Sequence, residues 1–227
     1  MAKTLTLAPD KPKAWLMLLA WAFLIIFAGK FILNDALPYF GFDQEVFGRY
    51  WGMKWPLIGH ISGGLLALIL GPFQFWAGFR NKYLKIHRWM GRLYLTGILI
   101  GTISSVMLAL TTEIAVHLSW AVSLIILAMA WFFTSGMALR FILLKRVNLH
   151  KEWMIRSYVV TFAFVVFCWL NGMAWIHEFG NFTIVGPNLI WISWVIPFFS
   201  LRSFYNGIRN IENRISVQLV DFHLVTF

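Results

Sequence analysis

Four histidines stand near the ends of four consecutive apolar runs: His60, His87, His117 and His150. An ionisable ring is a costly guest in hydrocarbon, so a histidine inside a span is read first as functional. Two imidazoles on facing helices can supply both axial ligands of a haem iron, with the ring sandwiched inside the bundle. With the runs counted as spans 1 to 6, the second and fourth bring His60 and His117 to one side of the membrane. The third and fifth bring His87 and His150 to the other. These last two sit in matched surroundings. His87 opens H-R-W-M-G-R-L-Y, which ends at Tyr94, and His150 opens H-K-E-W-M-I-R-S-Y, which ends at Tyr158. The second copy carries one extra residue between histidine and tryptophan.

The neighbours of these histidines suit the same chemistry. Gly59, Gly63 and Gly64 in span 2 would let a flat macrocycle approach the backbone. Arg80, Lys82, Lys85, Arg88, Arg92 and Arg156 could pair with haem propionates. Tyr94 and Tyr158 fall about two turns inside their helix starts, where they would line the same pocket. Blander roles compete with these. An interfacial histidine often bonds only loop backbone or lipid, and arginines near a span end can simply snorkel to phosphate. His177 and His223 are read as structural, and the many tryptophans and phenylalanines as lipid-facing or interfacial anchors. Gln74 inside span 2 needs a partner, most simply a neighbouring helix. From His60 to Arg80 a helix covers roughly 30 Å. The histidine planes would then lie near opposite membrane surfaces, far apart for fast direct transfer between two haems, so that one haem, or none, stays open beside two.

The elements that must position these groups follow from composition. The 227 residues are 60% hydrophobic and only 12% charged, with a mean hydropathy of +0.73. A water-soluble domain cannot hide that much apolar surface, so the chain is expected to be an all-α, polytopic membrane protein forming a single membrane domain over residues 1–227. The six expected spans run about 14–33, 55–79, 87–110, 115–144, 150–175 and 187–205. The first is expected to remain uncleaved, being long for a signal segment and lacking a small-x-small site after it. Gly71-Pro72 predicts a kink in span 2, because proline withholds a backbone donor. The formal net charge of +10 would suit nucleic acid, but the basic residues collect at the ends of the apolar runs. That distribution fits the positive-inside rule, with anionic lipid as the partner rather than nucleic acid. Basic residues crowd the N-terminus, the 2–3 and 4–5 turns and the tail with Arg209 and Arg214. Both termini are therefore expected in the cytoplasm, with His87 and His150 at the inner surface. Short connections make spans 2 to 5 a four-helix core of antiparallel neighbours. The lone Cys168 excludes an intramolecular disulfide and a cysteine-built metal site.

Three motifs carry a resemblance: G-P-F-Q-F from Gly71 to Phe75, and the two histidine-led copies. Together they resemble a family of bacterial predicted membrane proteins of unknown function, over about His60 to Cys168. The resemblance implies that His60, His87 and His150 are typical of the family and His117 is not. It also implies an arginine late in span 5, near Cys168, which this sequence lacks. A more distant resemblance is to the ascorbate-dependent di-haem transmembrane cytochromes b. They have six helices and ligand histidines on spans 2 to 5, paired 2–4 and 3–5.

The leading expectation is a haem b protein of the bacterial inner membrane that transfers electrons, an oxidoreductase in the broad sense. Its donor would be a quinol or a small reductant, and a homodimer is compatible with the sequence. The rival is a haem-free transporter or structural subunit whose twin motifs clamp lipid headgroups with histidine, arginine and tryptophan. A hydrolytic metal site is poorly supplied, since only Glu152 and Glu178 stand near the histidines. No Ser-His-Asp arrangement and no phosphate-binding glycine loop is present.

Overall fold

The computed structural model describes residues 14–201. Arg209, Arg214, His223 and the last residues of the expected sixth span lie outside the described residues. The helices are α1 (Ala14–Phe31), α2 (Gln44–Phe47), α3 (Lys54–Phe75), α4 (Ala77–Lys82), α5 (Leu84–Leu108), α6 (Leu118–Leu143), α7 (Val147–Asn171) and α8 (Phe182–Leu201). No strand occurs among the described residues. Six segments are long and apolar enough to cross a membrane: Trp21–Gly41, Gln44–Phe75, Leu84–Glu113, Leu118–Leu143, Val147–Asn171 and Phe182–Leu201. In hydrocarbon every backbone group must be satisfied within the segment, and an all-helical chain meets that demand. The segment expected as a loop after span 1 is also largely helical. It runs through a π-helical turn (Ile32–Ala36), a 3-10 turn (Leu37–Gly41), α2 and a second 3-10 turn (Gly48–Met53). Phe47 pins this segment to Leu57 and Leu108 at one end of the bundle.

Helices α3, α5, α6 and α7 form the expected four-helix core, with α3 against α5, α5 against α6, α6 against α7, and α7 closing on α3. The ends are called inner and outer after the charge rule, His87 and His150 marking the inner end. The tightest seam lies between α3 and α5. A Cβ added to Gly63 would sit 2.3 Å from the Gly97 carbonyl oxygen, and one added to Gly97 would sit 2.9 Å from that of Gly63. Small residues at such a crossing let two backbones touch, the main source of helix association in lipid. Gly63 and Gly59 thus face α5 rather than a macrocycle: a Cβ on Gly59 would meet the Ser104 hydroxyl at 2.7 Å. Around this core, α1 lies on α7, with Phe27 stacked 4.1 Å from Trp169 and Lys30 over the same indole. On another side α8 buries Val185, Leu189, Ile190 and Trp194 in the main core cluster.

The kink expected at Gly71-Pro72 does not break the helix there. Helix α3 runs on through Pro72 to Phe75 and ends at Trp76, which is extended (φ −73°, ψ 101°) before α4 resumes. Pro72 has no N–H to give to the carbonyl four residues back, that of Leu68. The Tyr158 hydroxyl of α7 donates to that carbonyl instead, at 3.1 Å. Gly71 makes the approach feasible, since a Cβ there would lie 2.3 Å from the Tyr158 ring. Phe75 meets the same ring edge-on at 5.6 Å.

The two histidine-led copies lie on α5 and α7, which run parallel. Tyr94 and Ser157 touch across the bundle at 2.9 Å. His87 and His150 each lie seven residues earlier, hence at one level about two turns further in. After the extra residue the second copy is turned by about 100° relative to the first. Trp89 and Arg92 accordingly face outward, whereas Met154 and Arg156 are buried. Tyr94 points into the core and Tyr158 swings round to α3.

Tyr158→Phe should cost about 1–2 kcal/mol, because the Leu68 carbonyl loses its donor. In a Pro72→Ala background, where the new residue can supply a backbone N–H, the same change should cost about 1 kcal/mol less. Thermal unfolding of the four proteins in detergent measures the coupling; additive losses would refute the substitution of one donor for the other.

Candidate functional site

The inner end brings two of the four histidines together. His87 and His150 sit level on α5 and α7, as the Tyr94–Ser157 contact seven residues further along each helix requires. His150 Nδ1 lies 2.8 Å from the Ala138 carbonyl oxygen. A carbonyl only accepts, so Nδ1 carries the hydrogen and Nε2 keeps the lone pair, the state in which imidazole ligates iron. His87 Nδ1 is buried and has no partner among the described residues. One turn on, Gly91 faces Gln74 of α3, whose Oε1 a Cβ would meet at 3.3 Å. The Gln74 amide nitrogen is buried and equally unpartnered there. Arg80 and Arg88 act electrostatically on His87. The donors at this level are thus two imidazoles, the His150 ring held with Nδ1 towards Ala138.

The outer pair does not form. His117 is the exposed N-cap of α6, its Nδ1 accepting from the Ser119 backbone N–H at 3.2 Å. Trp131, and not His117, faces His60 across the bundle, with ring centroids 6.5 Å apart. His117 lies 14 residues from Trp131 along the same helix, about 21 Å away. A bis-histidine haem at the outer end, expected from the sequence, does not fit this arrangement.

His60 instead lines a chamber of about 280 Å³ in the outer half. Its Nδ1 is held 3.1 Å from the Gly101 carbonyl oxygen, so its Nε2 is again the lone-pair nitrogen. Phe164 and Trp131 stand edge-on to the ring. Of the glycines expected to admit a macrocycle, only Gly64 lines the chamber with nothing within 4 Å of its Cβ position. The outer mouth carries Asp35, Tyr39, Tyr50 and Glu113. Glu113 is buried and accepts from Arg49 Nη2 at 3.1 Å, from Trp120 Nε1 at 2.7 Å and from the Tyr50 hydroxyl. In the sequence Glu113 falls between the third and fourth expected spans. The available signal was a lone carboxylate between two long apolar runs, where an acid persists only if it is paired.

A chain of hydrogen bonds leads inward from the chamber. Trp131 Nε1 donates to Thr161 Oγ1 at 2.8 Å, and Thr161 gives its own hydrogen to the Ser157 carbonyl at 2.9 Å. With that hydrogen spent, Tyr94 must donate to Thr161, leaving Ser157 Oγ to donate to the Tyr94 oxygen. Every hydroxyl in this set is satisfied. Tyr94 is therefore a fully buried link between α5 and α7, and Tyr158 a link between α7 and α3; neither lines the chamber. Arg156, expected to reach propionate or phosphate, is buried in an ion pair with Glu152 at 2.5 Å. Its guanidinium also lies 4.7 Å from the Trp153 ring and 6.0 Å from that of Phe198 on α8. Arg92 is exposed and stacks 4.8 Å over Trp89. His177 bonds only locally, at 2.8 Å from the Asn171 carbonyl, as a structural residue should. No group of three or more His, Cys, Asp or Glu side chains is placed to hold a metal ion among the described residues.

Residues 57–202 match a family described as predicted membrane protein (DUF2306). The chain belongs to this family. The match covers α3 to α8, and so takes in the four-helix core, both histidine-led copies and the Gly71-Pro72 motif. Comparison with curated proteins and with solved structures finds no match, and neither supports the likeness to the di-haem cytochromes.

Arg156→Met should destabilise the fold, by up to about 3–5 kcal/mol, because it removes the guanidinium that bonds the buried Glu152 carboxylate. Adding Glu152→Gln should recover most of the loss. Unfolding temperatures of the two variants check this, and a double variant no better than the single would contradict it.

Proposed function

We propose that this integral membrane protein binds one haem b at the inner end, with His87 and His150 as axial ligands, and transfers electrons there. The observation that carries the reading is the level pairing of the two imidazoles on parallel helices, with His150 Nδ1 bonded to the Ala138 carbonyl so that its Nε2 is left to ligate. Such an iron supplies one-electron transfer, its potential tuned by the ligands and the hydrogen bonds behind them. In this reading Ala138 fixes the His150 ring, and Arg80 and Arg88 offset the propionate charge. Quinol or a small reductant serves as donor, and the bacterial inner membrane is the setting.

A second reading has one observation in its favour. The Arg92–Trp89 stack faces outward at the inner surface, close to Arg80, Lys82, Lys85 and Arg88. This cluster suits anionic headgroups. It would make the first histidine-led copy a lipid clamp in a haem-free protein. The buried Arg156 removes the second copy from that role.

A reduced-minus-oxidised absorption spectrum of the purified protein, expressed with ample haem, separates the two. The haem reading expects sharp α and Soret bands, one haem per chain, loss of both bands in His87→Ala and His150→Ala, and none in His117→Ala. A featureless spectrum from folded protein would overturn it in favour of the lipid clamp.

A further inference from the structure

We propose that the outer chamber is a binding site for a quinol that enters from the bilayer and donates a hydroxyl hydrogen to His60 Nε2. The site stands on the chamber's own residues; use of the quinol as an electron source rests on the haem reading above.

The polar inventory of the chamber selects the ligand. Among the described residues no lysine or arginine lines it, so nothing there would hold an anionic reductant such as a carboxylate or phosphate. Of its lining groups, His60 offers an acceptor in Nε2, because Nδ1 is committed to the Gly101 carbonyl. An acceptor buried among apolar walls favours a neutral ligand that brings its own O–H, and penalises an analogue lacking one. The walls around His60 are aromatic: Trp131 and Phe164 stand 6.5 and 6.0 Å from its ring centroid, at the spacing of edge-to-face packing. The volume of about 280 Å³ falls just below the usual range of ligand pockets, which starts at about 300 Å³, and so suits one substituted ring rather than a macrocycle.

Access and proton release follow from the same geometry. One wall is made by Phe31 at the outer end of α1 and by Asp35 in the π-helical turn that follows it. Helix α1 meets α3 through Trp21 against Phe73 and Trp76 towards the inner end, and meets α7 through Phe27. Its other faces expose Leu18, Phe23, Ile25 and Ile26. The outer chamber is thus one helix away from lipid, the phase in which a quinol is dissolved. Asp35 and Glu113 line the same chamber and give it a polar route towards the outer surface.

The test titrates decylubiquinol and its dimethyl ether into the full-length protein in detergent, with tryptophan fluorescence and calorimetry as readouts. Saturable one-to-one binding of the quinol is expected, with the ether, which has no hydroxyl to donate, binding about tenfold more weakly. His60→Leu should weaken the quinol by about tenfold and bring it level with the ether, while His117→Ala leaves both unchanged. Equal binding of quinol and ether to the wild-type protein, or no saturable binding, would overturn the proposal without recourse to any variant. Quinol binding retained in His150→Ala supports the chamber whether or not haem is bound, whereas binding lost in His150→Ala but kept in His60→Leu would place the quinol at the inner histidines and overturn the proposal.

Discussion

The carbonyl of Leu68 has no backbone donor, because Pro72 stands where the N–H should be. In water this would cost little. In a bilayer nothing else is present to satisfy it, so the chain must bring a donor from elsewhere. Tyr158 supplies it, and its arrival fixes a great deal. Gly71 has to be bare to seat the ring, Phe75 packs on the ring edge, and α7 is held against α3 at a defined height and rotation. With α7 pinned, Ser157 and Thr161 fall opposite Tyr94 of α5, and His150 falls level with His87. The G-P-F-Q-F stretch and the second histidine-led stretch are thus two halves of one joint.

The two histidine-led stretches look like repeats but do different work. A single additional residue turns everything after His150 by about 100°. The first copy sends its tryptophan and arginine to the inner surface and its tyrosine to the core. The second sends its arginine inward, where Glu152 and the rings of Trp153 and Phe198 hold it, and its tyrosine to α3. Only the histidines, which precede the extra residue, keep the same place. Parallel helices in a common register therefore pair the one group the two stretches share.

Apart from the buried Arg156–Glu152 ion pair, the polar groups of the candidate sites stand at three levels. At the inner end are the paired histidines, the Gln74 amide and the basic surface. At mid-depth the hydroxyls of Tyr94, Ser157 and Thr161 and the indole of Trp131 satisfy one another completely. Above them the chamber carries His60 at its depth and acids at its mouth. The middle level is closed and rigid, as a fully satisfied network in low dielectric should be. The other two retain polar atoms that the protein leaves unpaired, and those are the places where a bound group has something to gain.

Much of this was legible without coordinates. Six apolar runs with short connections can only be a helical membrane bundle, and the basic turns order it relative to the membrane. The equivalence of His87 and His150 is visible in their surroundings, and their pairing follows once α5 and α7 run parallel. The positions of His60 and His117 near span ends suggested a second pair by the same logic, and there the logic failed. Sequence gives the height of a residue along its helix but not the angle at which two helices meet, and the Gly63–Gly97 crossing turned His60 towards Gly101 and Trp131 while His117 became a cap. The partners of Glu113 and Arg156 were hidden for a related reason. Whether a charge at the end of a span faces water or a partner depends on what the other helices place beside it: Arg49, Tyr50 and Trp120 for one, Glu152 and Phe198 for the other. Hydropathy and register along each helix were written in the chain; rotation about each helix axis, and with it which polar groups meet, was decided only by packing.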